Sequence, residues 1–158
     1  MPSVPAAAHD ALPAGYSLRP LLPADYHHGL MDCLGQLTRV GCVSEPQFHA
    51  QLAYMHRHPD IFHVRVITDP RGRVVACGTL LVEQKFIHHC GAAGHIEDIV
   101  VDAAQRGRHL GCLLLAHLQL LARELGCYKV ILDCEPDRIE FYEKCGFARK
   151  GVQMARYF

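Results

Sequence analysis

Gln105-Arg106-Gly107-Arg108-His109-Leu110-Gly111 is the stretch on which the reading of this chain turns. It follows an apolar, strand-like run from His95 to Val101 and opens into an apolar helix from Leu110 to Leu125. Such a turn gathers free backbone N–H groups, because the first four amides of a helix lack internal partners and the helix dipole adds roughly half a positive charge there. Gly107 and Gly111 remove Cβ atoms where a ligand would approach the backbone, and Arg106 and Arg108 add full charges. An anion suits this turn, a pyrophosphate best. On these residues alone, an ordinary glycine-bearing loop with solvated arginines stands as the competing reading. Two familiar phosphate loops do not apply. No Lys-Ser or Lys-Thr follows Gly111, and Arg106 and Arg108 flank a single Gly107 where a dinucleotide loop needs a Gly-x-Gly pair.

Outward from this loop, Tyr16 to Leu22 alternates as a first strand, and Pro23-Ala24-Asp25 leads into a helix through about Leu37. Glu45 to His58 reads as a second helix, started at Ser44 with Pro46 at an early position. Ile61 to Thr68 and Val74 to Gln84 are strands joined by Asp69-Pro70-Arg71-Gly72, a hairpin signal. A polar loop, Lys85 to Ala93, precedes a strand from Gly94 to Val101. The third helix carries Leu110, Leu114, Leu118, Leu121 and Leu125 on one stripe and stops at Gly126. Lys129 to Asp133 reads as a short buried strand, Arg138 to Lys144 as a short helix, and Arg149 to Tyr157 as a last strand. The hairpin strands must run antiparallel, whereas the later strand-helix-strand crossover implies a parallel pair. The expectation is an α/β domain with one mixed, mostly antiparallel sheet and flanking helices. The sheet is splayed between strands 4 and 5, where a ligand's arm can enter.

A chain of 158 residues makes one domain, and a domain of about that size buries roughly 68–70% of its unfolded surface. Sixteen basic and sixteen acidic residues balance, leaving no electrostatic footprint for nucleic acid or an anionic membrane. The eight cysteines are scattered without a Cys-x-x-Cys pair, several inside apolar runs. They read as buried free thiols of a reducing, cytoplasmic compartment. Residues 1–15, with three prolines and no Lys or Arg, read as a flexible lead ahead of the domain at 16–158, and as neither a signal nor a transit peptide. The run from Leu110 to Ala122 is broken by His117 and Gln119, so no membrane span is expected. Among the twelve histidines, His88-His89-Cys90 with His95 is the densest group, yet no usual zinc spacing appears and no metal is expected.

Arg106-Gly107-Arg108-His109-Leu110-Gly111 resembles the Q/R-x-x-G-x-G/A signature of the GNAT superfamily of N-acetyltransferases, and the order of elements resembles that fold. Longer blocks narrow the resemblance to the glucosamine 6-phosphate N-acetyltransferase family. These are Glu83-Gln84-Lys85-Phe86-Ile87-His88 followed by Gly94-His95-Ile96-Glu97-Asp98-Ile99-Val100-Val101, then Gly126 to Cys134, then Phe141-Tyr142-Glu143-Lys144-Cys145-Gly146-Phe147. The resemblance implies acetyl transfer from acetyl-CoA to the amine of a phosphosugar, without an acyl-enzyme. It implies that Ile99, Val100 and Val101 meet the acetyl-CoA arm, that Arg106, Gly107, Arg108, His109, Leu110 and Gly111 hold its pyrophosphate, and that Tyr142 hydrogen-bonds the departing sulfur. Glu97, Asp98 and Asp133 match the acidic residues around the sugar. Thr38, Lys85, Phe86, Ile87, His88 and Arg156 match positions that bind the sugar phosphate and hydroxyls. The family is dimeric with shared active sites, so a homodimer is implied. Two positions depart from the superfamily pattern: His109 replaces a frequent glycine, and Arg138 stands where an asparagine on the cofactor side is common.

The residues themselves support part of this. Adjacent carboxylates at Glu97 and Asp98 inside a strand put at least one acid on a buried face, where it needs a partner or a function. Asp133 also fits a turn cap, and Tyr142 a core aromatic. Lys85, His88 and Arg156 favour an anionic substrate over a polyamine. An acetyltransferase for another small amine or peptide, or a non-catalytic acetyl-CoA sensor, remain the competing functions.

Overall fold

The computed structural model describes residues 11–158, so the first ten residues of the expected lead lie outside the described residues. Five strands form one sheet in the order β1-β2-β3-β4-β5. They are β1 (Ser17–Pro20), β2 (Phe62–Thr68), β3 (Val74–Gln84), β4 (Ala92–Val101) and β5 (Cys127–Ile131). The first three pairings are antiparallel and the last, β4 with β5, is parallel. The expected mixed sheet therefore forms. Its centre is β3, apolar on both faces and buried from Val74 to Leu80. The β2–β3 hairpin closes on Asp69, whose Oδ1 accepts the N–H groups of Arg71 and Arg73, both at 2.9 Å.

Five helical segments flank the sheet: α1 (Leu30–Leu34), α2 (Glu45–His56), the single turn α3 (Ile87–Cys90), α4 (Leu110–Glu124) and α5 (Ile139–Lys144). On one face α4 presents Leu110, Leu114, Leu115, Leu118 and Ala122, all buried, against Ile67, Ala76, Leu80 and Ile96. Each such leucine contributes roughly 1.5–3 kcal/mol by burial. On the other face Leu30, Cys33, Phe48 and Leu52 of α1 and α2 meet Val66, Val74, Cys77 and Val100. The start of α2 is a capping box: Ser44 Oγ accepts from Gln47 N–H, and Gln47 Oε1 accepts from Ser44 N–H at 2.8 Å.

Some expectations need correction. The helix expected from Pro23 to Leu37 is broken into a 3-10 turn, Pro23–Tyr26, and α1. The cause is tertiary, because His28 O is captured by Val74 N–H at 2.8 Å. Leu125 falls outside the buried stripe at the end of α4. The expected buried strand Lys129–Asp133 is instead the exposed outer strand β5, ending at Ile131. The expected last strand, Arg149 to Tyr157, is not formed. Among the described residues no strand pairs with it, and Val152, Met154 and Tyr157 are at least 90% exposed. Cys33 and Cys77 are buried free thiols as expected, and burial pushes them up to about 11 and about 12. Cys112 and Cys145 instead form a disulfide joining the first turn of α4 to the end of α5, and Cys42, Cys90 and Cys134 are exposed.

A β-bulge in β4 reorganises the sheet next to its opening. Thr79 pairs with Glu97 and Cys77 with Val100, so β4 carries one residue more than β3 over this stretch. The extra residue is Asp98, at φ +53°. The bulge resets the alternation of β4. Ile96, Ile99 and Val101 all join the α4 core, while Val100 joins the α1–α2 core. Gly78 makes this feasible, because a Cβ there would lie 2.5 Å from Ile99 Cδ1 and 3.2 Å from the tips of Leu114 and Leu118.

At the edge of the α1–α2 side sits a buried charge. Asp25 is fully buried and takes a bidentate contact from Arg19, Nη1 to Oδ2 at 2.8 Å and Nη2 to Oδ1 at 2.7 Å, with Leu22 N–H donating to Oδ2 at 2.8 Å. Burial raises the carboxyl's pKa, but the hydrogen bonds from Arg19 and Leu22 and the charges of Arg19 and His28 outweigh it and hold Asp25 below the usual carboxylate range. Arg19→Ala should cost about 3–5 kcal/mol, the penalty for an orphaned buried charge, read as a lower urea midpoint. Because the folded pKa is lowered, Asp25 contributes stability above pH ~4, its value in an unfolded chain. That contribution is lost as pH falls through the folded value, and the variant should lose this part of the acid sensitivity. Gly78→Ala should cost about 1–3 kcal/mol by overpacking; an unchanged midpoint would show that Ile99 has room to move.

Candidate active site

The opening expected between β4 and β5 is present. Their parallel pairing runs from Ala92 with Cys127 to His95 with Ile131 and stops there. From Ile96 to Val101, β4 has no strand partner on its β5 side among the described residues, so the polar backbone groups facing that way can serve a ligand. The bulge lies at the mouth of this gap.

Glu97 and Asp98 are both exposed, which corrects the expectation that one would be on a buried face. Strict alternation produced that expectation, and the bulge removes it by turning Asp98 out of the ladder. Partial burial raises the Glu97 carboxyl above its ordinary range, the charges of Asp98 and Asp133 raise it further, and His95 opposes them. The three carboxylates therefore share one electrostatic neighbourhood. Asp133 follows β5 and accepts from Gln153 Nε2 at 3.1 Å. A carboxyl held above its usual pKa is suited to taking a proton near neutral pH.

Tyr142 sits in α5, where Phe141 and Phe147 meet it edge to face at 5.0 and 6.1 Å. It is packed against the core, as an aromatic of a short helix would be, and it also lines a cavity of about 1090 Å³ with Asp133 and Cys134. Burial raises its hydroxyl pKa, Cys134 adds to this, and Arg138 opposes it. A phenol kept protonated can donate to a departing thiolate. Arg138 is exposed and pairs with Asp137 at 3.4 Å.

The loop before α4 is held from behind. Tyr16 Oη donates to Gln105 Oε1 at 2.6 Å, Ala103 N–H to Gln36 Oε1 at 2.8 Å, and Ala104 N–H to Asp102 Oδ1 at 2.8 Å. Arg106, Gly107, Arg108 and His109 are left exposed. Gly107 has φ +80° with nothing within 4 Å of a would-be Cβ, and His109 adopts φ +60°, so a histidine holds the left-handed turn here. The first bond of α4 runs from Leu113 N–H to His109 O, which places the amides of Leu110, Gly111 and Cys112 ahead of the ladder. Those amides and two unpaired arginines fit a pyrophosphate. Ile99 and Val101, whose side chains anchor in the core, leave their backbone to the gap, and Val100 is buried on the far face. Gly111 packs on Phe141, tying this helix end to the segment that carries Tyr142.

The phosphate-site candidates are spread more widely. Lys85 follows β3 and is largely shielded, with its ammonium on Glu83 at 2.6 Å. Phe86 and Ile87 form an exposed tip, and the His88 ring lies 4.1 Å from that of Tyr128. Thr38 is exposed in the bend after α1. Arg156, in the exposed tail, lies over the Phe158 ring at 5.3 Å, with no contact to Lys85 or His88 within the chain. The structure thus gathers Glu97, Asp98 and Asp133, lines one cavity with Asp133 and Tyr142, and leaves Thr38 and Arg156 apart. Sequence reading missed Gly78, Gln36 and Glu83 as supports of the site; only Gly78, a glycine within a strand, carried a local signal. Among the described residues no group of three or more His, Cys, Asp or Glu is placed to hold a metal ion, and no helix is long and apolar enough to cross a membrane.

Comparison with known proteins agrees with this geometry. The acetyltransferase (GNAT) family model matches residues 25–147. A glucosamine 6-phosphate N-acetyltransferase of Candida albicans is 46% identical over 147 residues, covering 93% of this chain and 99% of that protein. One from Dictyostelium discoideum is 44% identical over 144 residues, covering 90% and 91% respectively. The crystal structure of the Arabidopsis thaliana glucosamine-6-phosphate N-acetyltransferase superposes with a TM-score of 0.89 at 40% identity, covering 90% of this chain and 98% of that one. The chain therefore belongs to the acetyltransferase (GNAT) family, within its glucosamine 6-phosphate N-acetyltransferase branch.

Proposed function

We propose that this chain moves the acetyl group of acetyl-CoA to the amine of D-glucosamine 6-phosphate, giving CoA and N-acetyl-D-glucosamine 6-phosphate. The observation that carries this reading is the bulged acidic corner of β4, placed at the mouth of the β4–β5 gap. The sugar amine is protonated near neutral pH and must lose a proton before its lone pair can attack the thioester carbonyl. Glu97, with its raised pKa, takes that proton directly or through water, while Asp98 and Asp133 orient the amine. A backbone N–H near Ile99 faces the developing oxyanion. As the carbon–sulfur bond breaks, Tyr142, kept protonated by its raised pKa, donates a hydrogen bond to the departing thiolate. Direct transfer needs no acyl-cysteine, and Cys33 and Cys77 are buried with high pKa values that suit no nucleophile.

The assembly we propose is a homodimer that completes each site. Two observations support it: β5 leaves Tyr128, Lys129 and Ile131 exposed on the outer strand, and the apolar tail from Val152 to Phe158 is uncovered. A second copy would cover both, and would bring its Arg156 to the sugar phosphate. The balanced charge offers no electrostatic footprint for nucleic acid or an anionic membrane and supports our reading of a small-molecule enzyme working in the cytoplasm.

Release of thiol from acetyl-CoA should be seen with glucosamine 6-phosphate and be much weaker with glucosamine, spermidine or a peptide amine; equal rates across that panel would refute the substrate. Tyr142→Phe should lower kcat about 10²-fold or more with acetyl-CoA Kd nearly unchanged. Because Glu97 acts unprotonated and its pKa is raised, kcat/KM should fall as pH drops through a value above the ordinary carboxylate range. Glu97→Gln should abolish that limb of the profile. Arg106→Ala with Arg108→Ala should raise the acetyl-CoA Kd and flatten its salt dependence, without abolishing binding, since the amides remain. Mixing Arg156→Ala with Tyr142→Phe subunits should restore activity above either parent, and verified heterodimers without recovery would rule out shared sites.

A further inference from the structure

Glu83 stands outside the set of residues that the proposed mechanism uses, yet both of its carboxylate oxygens make close polar contacts. Its Oε1 accepts from Lys85 Nζ at 2.6 Å, and its Oε2 accepts from His95 Nε2–H at 2.8 Å. The geometry follows from strand periodicity. Glu83 and Lys85 are two residues apart, and His95, opposite Leu81, lies diagonally across the ladder on the same face. Glu97, two residues beyond His95 and before the bulge, continues the row. A single line of polar groups thus runs from Lys85 through Glu83 and His95 to the acidic corner at Glu97.

The backbone of Lys85 is fixed separately. Lys85 N–H donates to Gly91 O at 2.9 Å, and Gly91 N–H to Ile87 O at 3.2 Å. His88, His89 and Cys90 all hold left-handed backbone, and the His88 ring rests on Tyr128 of β5. This strained turn sets where the lysine starts but leaves four rotatable bonds in its side chain. A lysine ammonium has three donors. One is held by Glu83, which leaves two for a ligand, and His95 restrains the carboxylate by holding its other oxygen.

We propose that Glu83 is a positioning residue that presents Lys85 to the phosphate of the sugar, and that it thereby sets the distance between the phosphate and the amine held at Glu97. The proposal rests on the glucosamine 6-phosphate reading given above. A carboxylate beside a phosphate site also repels the ligand, so the two effects have opposite signs. Glu83 is about half exposed, which screens its repulsion, whereas ordering a long lysine chain in advance removes an entropic cost that binding would otherwise carry. Positioning should win.

The test is a double-mutant cycle of Glu83→Gln and Lys85→Ala in the full-length enzyme, measured with glucosamine 6-phosphate and with glucosamine. Glu83→Gln should raise KM for glucosamine 6-phosphate about fivefold, leave the KM for acetyl-CoA and the melting temperature unchanged, and not alter kcat/KM for glucosamine. In the Lys85→Ala background the same substitution should have less than a twofold effect. Glu83→Ala, which removes the acceptor altogether, should repeat the pattern. A fall in KM would mean that repulsion dominates, and it would overturn the proposal. So would a loss that persists without Lys85, or one that is equal for both sugars. A wild-type enzyme that does not acetylate glucosamine 6-phosphate would overturn the functional reading itself, and is told apart because it shows before any variant is made.

Discussion

The bulge at Asp98 is the constraint from which the rest of the site follows. A non-glycine residue at φ +53° costs of order 1–3 kcal/mol and persists only where its surroundings enforce it. Here the enforcement comes from both faces of the sheet. Ile99 and Val101 are drawn into the α4 core and Val100 into the α1–α2 core, and no unbulged strand can satisfy all three while Ile96 also faces α4. Gly78 on the neighbouring strand gives Ile99 the room it occupies. Two apolar cores therefore stabilise one irregularity, and the irregularity turns two carboxylates out to solvent at the edge of the gap.

The gap has its own cause. β5 diverges from β4 after the His95–Ile131 pair, while α4 and α5 continue to pack beneath the opening through Gly111 and Phe141. Two active-site edges are thus built on one rigid base: the loop ahead of α4, with its free amides and arginines, and α5, with Tyr142. The Cys112–Cys145 disulfide joins these same two helices. The groups we propose to react sit at strand and helix ends, while the cores that hold them carry no chemistry, and partial burial together with the charges of Asp98 and Asp133 keeps the Glu97 pKa raised there.

Polar support extends beyond the residues that would touch a ligand. Gln36 and Tyr16, far apart in the chain, fix the backbone and side chain of the loop before Arg106, and Asp102 caps its short 3-10 turn. Glu83 makes a comparable contact to Lys85, at 2.6 Å. The tail has no strand partner among the described residues, and its Val152, Met154, Tyr157 and Phe158 are almost fully exposed. The proposed dimer addresses both this tail and the exposed outer strand with one interface.

The sequence by itself determined the order of the five strands with α2, α4 and α5 between them, the span of β3, the start of α2 and the buried stripe of α4, because each depends on local periodicity or capping that neighbours within a few residues decide. It also determined the candidate residues of the loop and the acidic corner, since those types in that spacing suit an anion and an amine. Only the tertiary structure decided where alternation fails. The Asp98 bulge depends on two cores competing for successive residues, the break before α1 on a hydrogen bond to β3, the Arg19–Asp25 pair on the turn at Pro23, and the exposure of β5 on the lack of a sixth strand among the described residues. Each of these is a contact between segments distant in sequence or a consequence of one, and a local pattern carries no information about which distant group will claim a backbone atom.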